Sequence, residues 1–235
     1  MIRSRILTQP HNRVVIHRML AYSGRNVGMP KYELTYFNFR GRGEPIRQIL
    51  HYGKVPFEDT KVTMEQWGGI KEDKKRFPYG QMPVFSIDGT LIAQSHSITR
   101  YVAAVAKVAG KNSVEAAEID QVYELCREFA DAITPYRRVC LGFLPGDKDQ
   151  IYKEVFVPAV EKYCPMIQDH IGTNGFLHQG GISYADFYFS DLFLSLQLMH
   201  PAIFDKYPKL VELKRKMLGL PELQDYFKQR GDQPF

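Results

Sequence analysis

In the stretch YFNFRGRGEPIRQIL, residues 36–50, Tyr36 is followed closely by Gly41-Arg42-Gly43, a flexible cationic turn that opens an amphipathic helix. A phenol with an ordinary pKa near 10 keeps its proton at neutral pH and can donate a hydrogen bond. Offered a thiol, such a donor with an arginine beside it favours the thiolate, which is the nucleophilic form. The helix N-terminus adds N–H groups suited to anions. Position alone also allows Tyr36 to be an ordinary strand aromatic.

Other stretches supply complementary chemistry. Gln81-Met82-Pro83 precedes an apolar strand. A cis Met82-Pro83 bond would turn the Met82 N–H and C=O outward, where they could pair with a peptide-like ligand as an added strand. The same tripeptide also reads as a plain strand entry with proline first. Ser95, in Gln94-Ser95, reads as a helix N-cap, and a helix start of that kind also suits a carboxylate. Trp67 and Lys71 are four apart and share a helix face if one forms there. Taken together these groups describe a pocket for a small peptide. A thiol would lie at Tyr36, its backbone at Met82, and carboxylates at Ser95 and Lys71.

The elements that must carry these residues follow from pattern. YELTYF alternates as a strand; the following helix turns Ile46, Ile49 and Leu50 to one face, and Gly53 reads as its C-cap. FEDTKV reads as a second strand, and residues 64–76 have weak helical periodicity. MPVFSIDGTLIA reads as two strands around Asp88-Gly89, a type I′ hairpin signal, and a helix follows from Ser95. Beyond a Gly110-Lys111-Asn112-Ser113 linker the apolar periodicity is helical, as at Val122, Leu125, Phe129 and Ile133. The expected fold is an α/β N-terminal domain of order β-α-β-α-β-β-α over residues 29–109, and an all-α C-terminal domain over 114–235.

Charge narrows the function. The chain carries 31 Lys and Arg against 26 Asp and Glu, a net +5. Arg3, Arg5, Arg13, Arg18 and Arg25 all fall in residues 1–28, which contain no acid, so the remainder balances at 26 against 26. Nucleic-acid binding is therefore not expected. No apolar run is long enough to span a bilayer, so no membrane partner is expected either. The basic leader 1–28 has the composition of a mitochondrial presequence, although Pro10 interrupts it; Met29-Pro30-Lys31 also reads as a natural start. Three widely spaced cysteines, Cys126, Cys140 and Cys164, point to a reducing compartment and to neither a disulfide framework nor a zinc site. A cytoplasmic protein is expected, or a mitochondrial one if residues 1–28 serve as a presequence.

With these residues in place, the chain from 29 to 235 resembles the sigma-class glutathione transferases of nematode type. The pattern is carried by Tyr36-Phe37, Gly41-Arg42-Gly43-Glu44, Trp67 with Lys71, Gln81-Met82-Pro83, Gln94-Ser95 and Gly181-Ile182-Ser183-Tyr184-Ala185-Asp186. In the last of these, Ser183 and Asp186 read as a capping box. The resemblance implies a thioredoxin-like N-terminal domain, an all-helical second domain and a homodimer with two sites. It implies glutathione as co-substrate, no required metal, and conjugation of the thiolate to small hydrophobic electrophiles in detoxification. By the same resemblance Tyr36 and Arg42 are catalytic, Trp67 and Lys71 hold the glycyl end, Gly80 to Pro83 present Met82 to the cysteinyl backbone, and Gln94-Ser95 hold the γ-glutamyl carboxylate. A partner-subunit acid, chosen from Asp120, Glu124 and Glu128 with preference for Glu128, reaches the γ-glutamyl amine. Phe37, Tyr136 and Phe143 would border the apolar substrate.

Two departures from the pattern stand out. Lys74-Lys75-Arg76 are extra residues after Lys71, and the aromatic wall of prostaglandin-isomerising relatives is replaced by Thr134-Pro135-Tyr136-Arg137. The alternatives are a glutathione-dependent prostaglandin D isomerase, or a carrier of haem or other hydrophobic ligands on the same scaffold. Dithiol chemistry at the site is excluded, since the first cysteine is Cys126.

Overall fold

A computed structural model describes residues 29–233. The basic leader 1–28, and the targeting reading attached to it, lies outside the described residues. Strand β1 (Tyr32–Phe37) alternates in burial, with Tyr32, Leu34 and Tyr36 turned inward. It continues through a short 3-10 turn, Gly41–Gly43, into helix α1 (Glu44–Tyr52). There follow β2 (Glu58–Val62), α2 (Met64–Ile70), β3 (Val84–Ile87), β4 (Thr90–Ala93) and α3 (Ser95–Val105). The sheet order is β2-β1-β3-β4, with β1 parallel to β2 and the other pairs antiparallel. This is the thioredoxin-like arrangement expected from the βαβ pattern and the hairpin. At the hairpin, Asp88 and Gly89 have φ of 49° and 87°, as a type I′ turn requires.

Two local expectations change in physical detail. Gly53 does end α1, but its φ is −73°, so the left-handed cap is not the reason for glycine there. A Cβ at Gly53 would stand 2.6 Å from Ala106 Cβ, so glycine lets the end of α1 lie against the end of α3. At α3 the cap position belongs to Gln94, with φ 73°, and Ser95 is the first helical residue and not the N-cap. The chain turns sharply at Gln94, which moves the helix start one residue earlier than the serine suggests.

The remaining helices are α4 (Ser113–Ala132), α5 (Thr134–Cys140), α6 (Lys148–Ile151), α7 (Val157–His170), α8 (Tyr184–Met199), α9 (Pro208–Leu218) and α10 (Gln224–Arg230). A π-helical stretch, Tyr152–Phe156, joins α6 to α7. Asn112 caps α4 by accepting from the N–H groups of Val114 and Glu115, both at 3.0 Å. No helix among the described residues is long and apolar enough to cross a membrane.

Helix α8 forms the centre of the helical half and buries Phe187, Phe189, Phe193 and Leu196 completely. Its start is fixed by the predicted capping pair: Asp186 accepts from Ser183 N–H at 2.7 Å and from Ser183 Oγ at 2.9 Å. The other Asp186 oxygen accepts from Leu177 N–H at 2.8 Å. Buried ionic contacts then join α8 and α10 to the first half. Arg40, fully buried, donates to Asp191 Oδ1 from Nε at 2.9 Å and to the Asp191 carbonyl from Nη2 at 2.7 Å. Glu44, at the start of α1, accepts from Tyr226 Oη at 2.6 Å and pairs with Arg230.

Candidate active site

The centre of the site is the join between β1 and α1. Tyr36 is the last inward-facing residue of β1, and its phenolic oxygen accepts the backbone N–H of Arg42 at 2.9 Å. Burial pushes the phenol above its ordinary pKa of 10, opposed in turn by the Arg42 N–H and by the charges of Arg42, Arg47 and Arg137. The phenol therefore keeps its proton at neutral pH. Because the Arg42 N–H already occupies an oxygen lone pair, the phenolic hydrogen is what the group has to offer a ligand.

Both glycines of the turn are dictated by that tyrosine. A Cβ at Gly41 would lie 2.6 Å from Tyr36 Oη, and one at Gly43 would lie 2.4 Å from Tyr36 Cδ1. Gly41 also has φ of 41°. The preceding loop is held by arginines. Arg47 donates to the carbonyls of Phe37 and Phe39, each at 3.0 Å, and forks onto Asp59 at 3.0 and 3.1 Å. Its guanidinium carbon is 5.7 Å from the centre of the Tyr36 ring. With Arg40 anchored on α8, this loop is fixed on both sides.

Above Tyr36 lies a cavity of about 320 Å³. Of the residues expected from sequence, Tyr36, Phe37, Arg42, Ser95 and Phe143 line it. Arg42 is exposed at the cavity edge, and Ser95 is buried. Phe143, in the segment after α5, is 60% exposed, so it forms an outer rim and not a packed wall.

Trp67, Lys71, Gly80 to Pro83 and Gln94 lie outside this lining. Of these, Trp67 touches a lining residue directly. Trp67 meets Phe37 edge-on at 5.9 Å and Phe77 at 4.9 Å. The extra residues Lys74-Lys75-Arg76 form a turn on Asp73, whose side chain accepts from Lys75 N–H at 3.1 Å and whose carbonyl accepts from Phe77 N–H at 2.8 Å. The turn buries Phe77 against Trp67. Lys71 is exposed at the end of α2, where its N–H donates to the Trp67 carbonyl at 3.1 Å. Gly80, at φ 60°, lies so near that a Cβ there would be 3.5 Å from the Lys71 carbonyl oxygen. The Met82-Pro83 bond is cis, and the β3 ladder begins only at Val84, opposite Thr35 and Ala93.

Tyr136 is a correction. It is only 3% exposed, hydrogen-bonds His200, and packs on Phe156 at 4.8 Å and Tyr152 at 5.8 Å. It belongs to the helical core, away from the cavity lining. Its neighbour Arg137 lines the cavity instead. Successive helical residues point about 100° apart, so a reading displaced by one residue selects a different side of the helix.

Among the acids of α4, Asp120 accepts from Arg100 Nε at 2.7 Å and from Tyr184 Oη at 2.6 Å, and Glu124 pairs with Arg100 and Arg127. Glu128, one turn on, is exposed. Sequence reasoning missed His96 and Arg137 in the lining and Arg40 beneath it. His96 Nδ1 is 2.6 Å from Tyr123 Oη, and burial, then the charges of Arg42 and Arg127, push its pKa down to about 4. Its imidazole is neutral at physiological pH. A signal for Arg40 was present in α8, where Asp191 interrupts an apolar run and requires a buried partner.

Comparisons with known proteins fit this geometry. Residues 32–104 match the glutathione S-transferase N-terminal domain family, and residues 130–230 match a glutathione S-transferase C-terminal domain family. Glutathione S-transferase 1 of Ascaris suum is 32% identical over 209 residues, covering 88% of this chain and all of the relative. A crystal structure described as a monomeric glutathione S-transferase of the hookworm Necator americanus superposes with a TM-score of 0.80 at 32% identity, over 87% of this chain and all of that one. A structure described as prostaglandin synthase D of Nilaparvata lugens gives a TM-score of 0.75 at 35% identity, over 86% of this chain and all of that one.

Proposed function

This chain belongs to the glutathione S-transferase family, and from that premise we propose that Tyr36 donates its phenolic hydrogen to the sulfur of bound glutathione, so that the thiolate attacks an apolar electrophile. The observation that carries this reading is the 2.9 Å bond from Arg42 N–H to Tyr36 Oη. It occupies the oxygen as acceptor, leaves the hydrogen for the ligand, and comes from the residue whose guanidinium supplies positive charge to the developing thiolate.

In the proposed complex, Trp67 and Lys71 hold the glycyl carboxylate, and Met82, presented by Gly80, Gln81 and cis-Pro83, pairs with the cysteinyl backbone. Gln94 and Ser95 hold the γ-glutamyl carboxylate at the start of α3. The contact of Gly80 with Lys71 supports one continuous ledge for the peptide. The electrophile lies between Phe37 and the rim at Phe143. Residues 29–109 would form the glutathione domain and 114–235 the helical one, with sigma as the class within the family. A homodimer would bring Glu128 of one protomer to the γ-glutamyl amine at the other's site. The exposure of Glu128, beside acids already engaged by Arg100, supports that choice. We propose cytoplasmic action, with the three cysteines free.

The test is retention on immobilised glutathione together with release of chloride from a chlorodinitrobenzene. Retention and turnover support the reading; absence of both rejects it. A second reading rests on the likeness to the Nilaparvata protein: the same thiolate would rearrange a prostaglandin endoperoxide without being consumed. Product analysis separates the two, because conjugation depletes glutathione and isomerisation does not.

A further inference from the structure

The cavity above Tyr36 carries an unbalanced charge. Four ionisable side chains with fixed charge at neutral pH line it: Arg42, Arg137, Asp131 and Asp191. Both acids are already engaged, Asp131 by Arg127 and Asp191 by Arg40. Among the described residues, neither Arg42 nor Arg137 makes an ion pair with a carboxylate. A thiolate held at Tyr36 would answer one of these cations, the adjacent Arg42, and leave Arg137 without a counter-charge.

Arg137 is poorly placed to be left alone. It is partly buried on α5, beside an apolar lining that includes Phe39, Leu141 and Leu192. Burial opposes its charge, Tyr188 and Asp191 support it, and the like charge of Arg42 opposes it again. A guanidinium desolvated in this way is costly unless a ligand supplies the anion. Its planar fork matches a carboxylate by paired hydrogen bonds.

Resting on the glutathione reading above, we infer that the second substrate is an amphipathic acid: an electrophile with an apolar body and a carboxylate that docks on Arg137. Arg137 is then a specificity-determining residue and takes no part in bond making. With an α,β-unsaturated ketone as the electrophile, the glutathione sulfur bonds to the terminal alkene carbon. The alkene pair moves onto the carbonyl as an enolate, and the enolate takes a proton at its α-carbon. The thiol proton lost to solvent balances the one gained.

Ethacrynic acid and its methyl ester supply the test. In this acid the carboxylate is separated from the enone by a ring and an ether link, so the two compounds differ in charge and hardly in reactivity. For the wild type, kcat/KM should favour the acid. Arg137→Gln should lower the acid-to-ester ratio of kcat/KM by roughly tenfold, mainly through KM of the acid, the size of one charge-assisted hydrogen bond at 1.4 kcal/mol per decade. Arg137→Lys should restore part of it. Should Arg137→Gln not fold, the wild type still decides. Decanoate should inhibit conjugation of a neutral chlorodinitrobenzene about tenfold more strongly than decanol, and the gap should shrink with added salt. Equal loss of acid and ester turnover in Arg137→Gln, or equal inhibition by decanoate and decanol, overturns the inference while retention on glutathione leaves the parent reading standing. Failure of retention removes both.

Discussion

Arg40 and Asp191 are 151 residues apart in sequence and form one buried ion pair, with Arg40 Nε 2.9 Å from Asp191 Oδ1. The pair ties the loop before Gly41 to the central helix of the second half. It thereby fixes the turn from which Arg42 reaches Tyr36. Removing one member leaves the other charge buried without its counter-ion. Asp191→Asn should cost about 3–5 kcal/mol of folding free energy in urea denaturation. A loss below about 1 kcal/mol would mean that the loop is held by Arg47 alone.

Gly43 has no room for a methyl group, since its Cβ would overlap Tyr36 Cδ1 at 2.4 Å. Gly43→Ala should displace the tyrosine ring, lower kcat/KM by at least about tenfold, and cost about 1–3 kcal/mol of stability, as overpacking does. Steady-state kinetics and a melting curve on the same preparation check both parts. Normal kinetics would show that the ring position is not what the turn protects.

Asp186 offers a pH test. Burial raises its carboxyl from 3.8 to about 6, against the pull of bonds from Leu177 and Ser183. The folded state thus holds this proton more tightly than the unfolded chain. The residue's contribution therefore grows as pH falls from about 6 toward 4, and is smallest above 6. Asp186→Ala strands three donors of Ser183 and Leu177 and should cost about 3 kcal/mol at neutral pH. The difference in stability between wild type and variant should widen between pH 6 and 4. A difference that narrows on acidification would place the ionised carboxylate as the favoured folded form.

Tyr136 separates the sequence expectation from the structure. As a core residue it loses one hydrogen bond, to His200, when changed to Phe. The expected outcome is about 1 kcal/mol of destabilisation with conjugation rates within about twofold of wild type. A selective rise in KM for the apolar substrate would return Tyr136 to the cavity wall.

The residues that reveal the site in the sequence are those whose neighbours are local. Tyr36 with Gly41 and Gly43, the Asp88-Gly89 hairpin and the Ser183–Asp186 cap all act within a few positions, so spacing alone exposes them. What stayed hidden depends on packing between distant segments. Gly53 is glycine because Ala106 lies against it, and Arg40 is buried because Asp191 arrives from the far end of the chain. Tyr136 and Arg137 are adjacent on the short helix α5, and only Arg137 faces the cavity, a difference that a carried-over family pattern does not resolve. Ser95 stands one residue from its expected place because nothing in its type announces the positive φ of Gln94.

The pH dependence of kcat/KM for chlorodinitrobenzene in wild type and Tyr36→Phe tests whether Tyr36 activates the thiol. In the wild type the rate should level off well below the ordinary thiol pKa of about 8.5, because the phenolic hydrogen stabilises the bound thiolate. In Tyr36→Phe the rise should move up toward that ordinary value, and kcat/KM at pH 6.5 should fall about 10- to 100-fold, the range of a hydrogen bond to a charged group. Coincident profiles, with equal rates at pH 6.5, would contradict the assignment of Tyr36 as the group that activates the thiol.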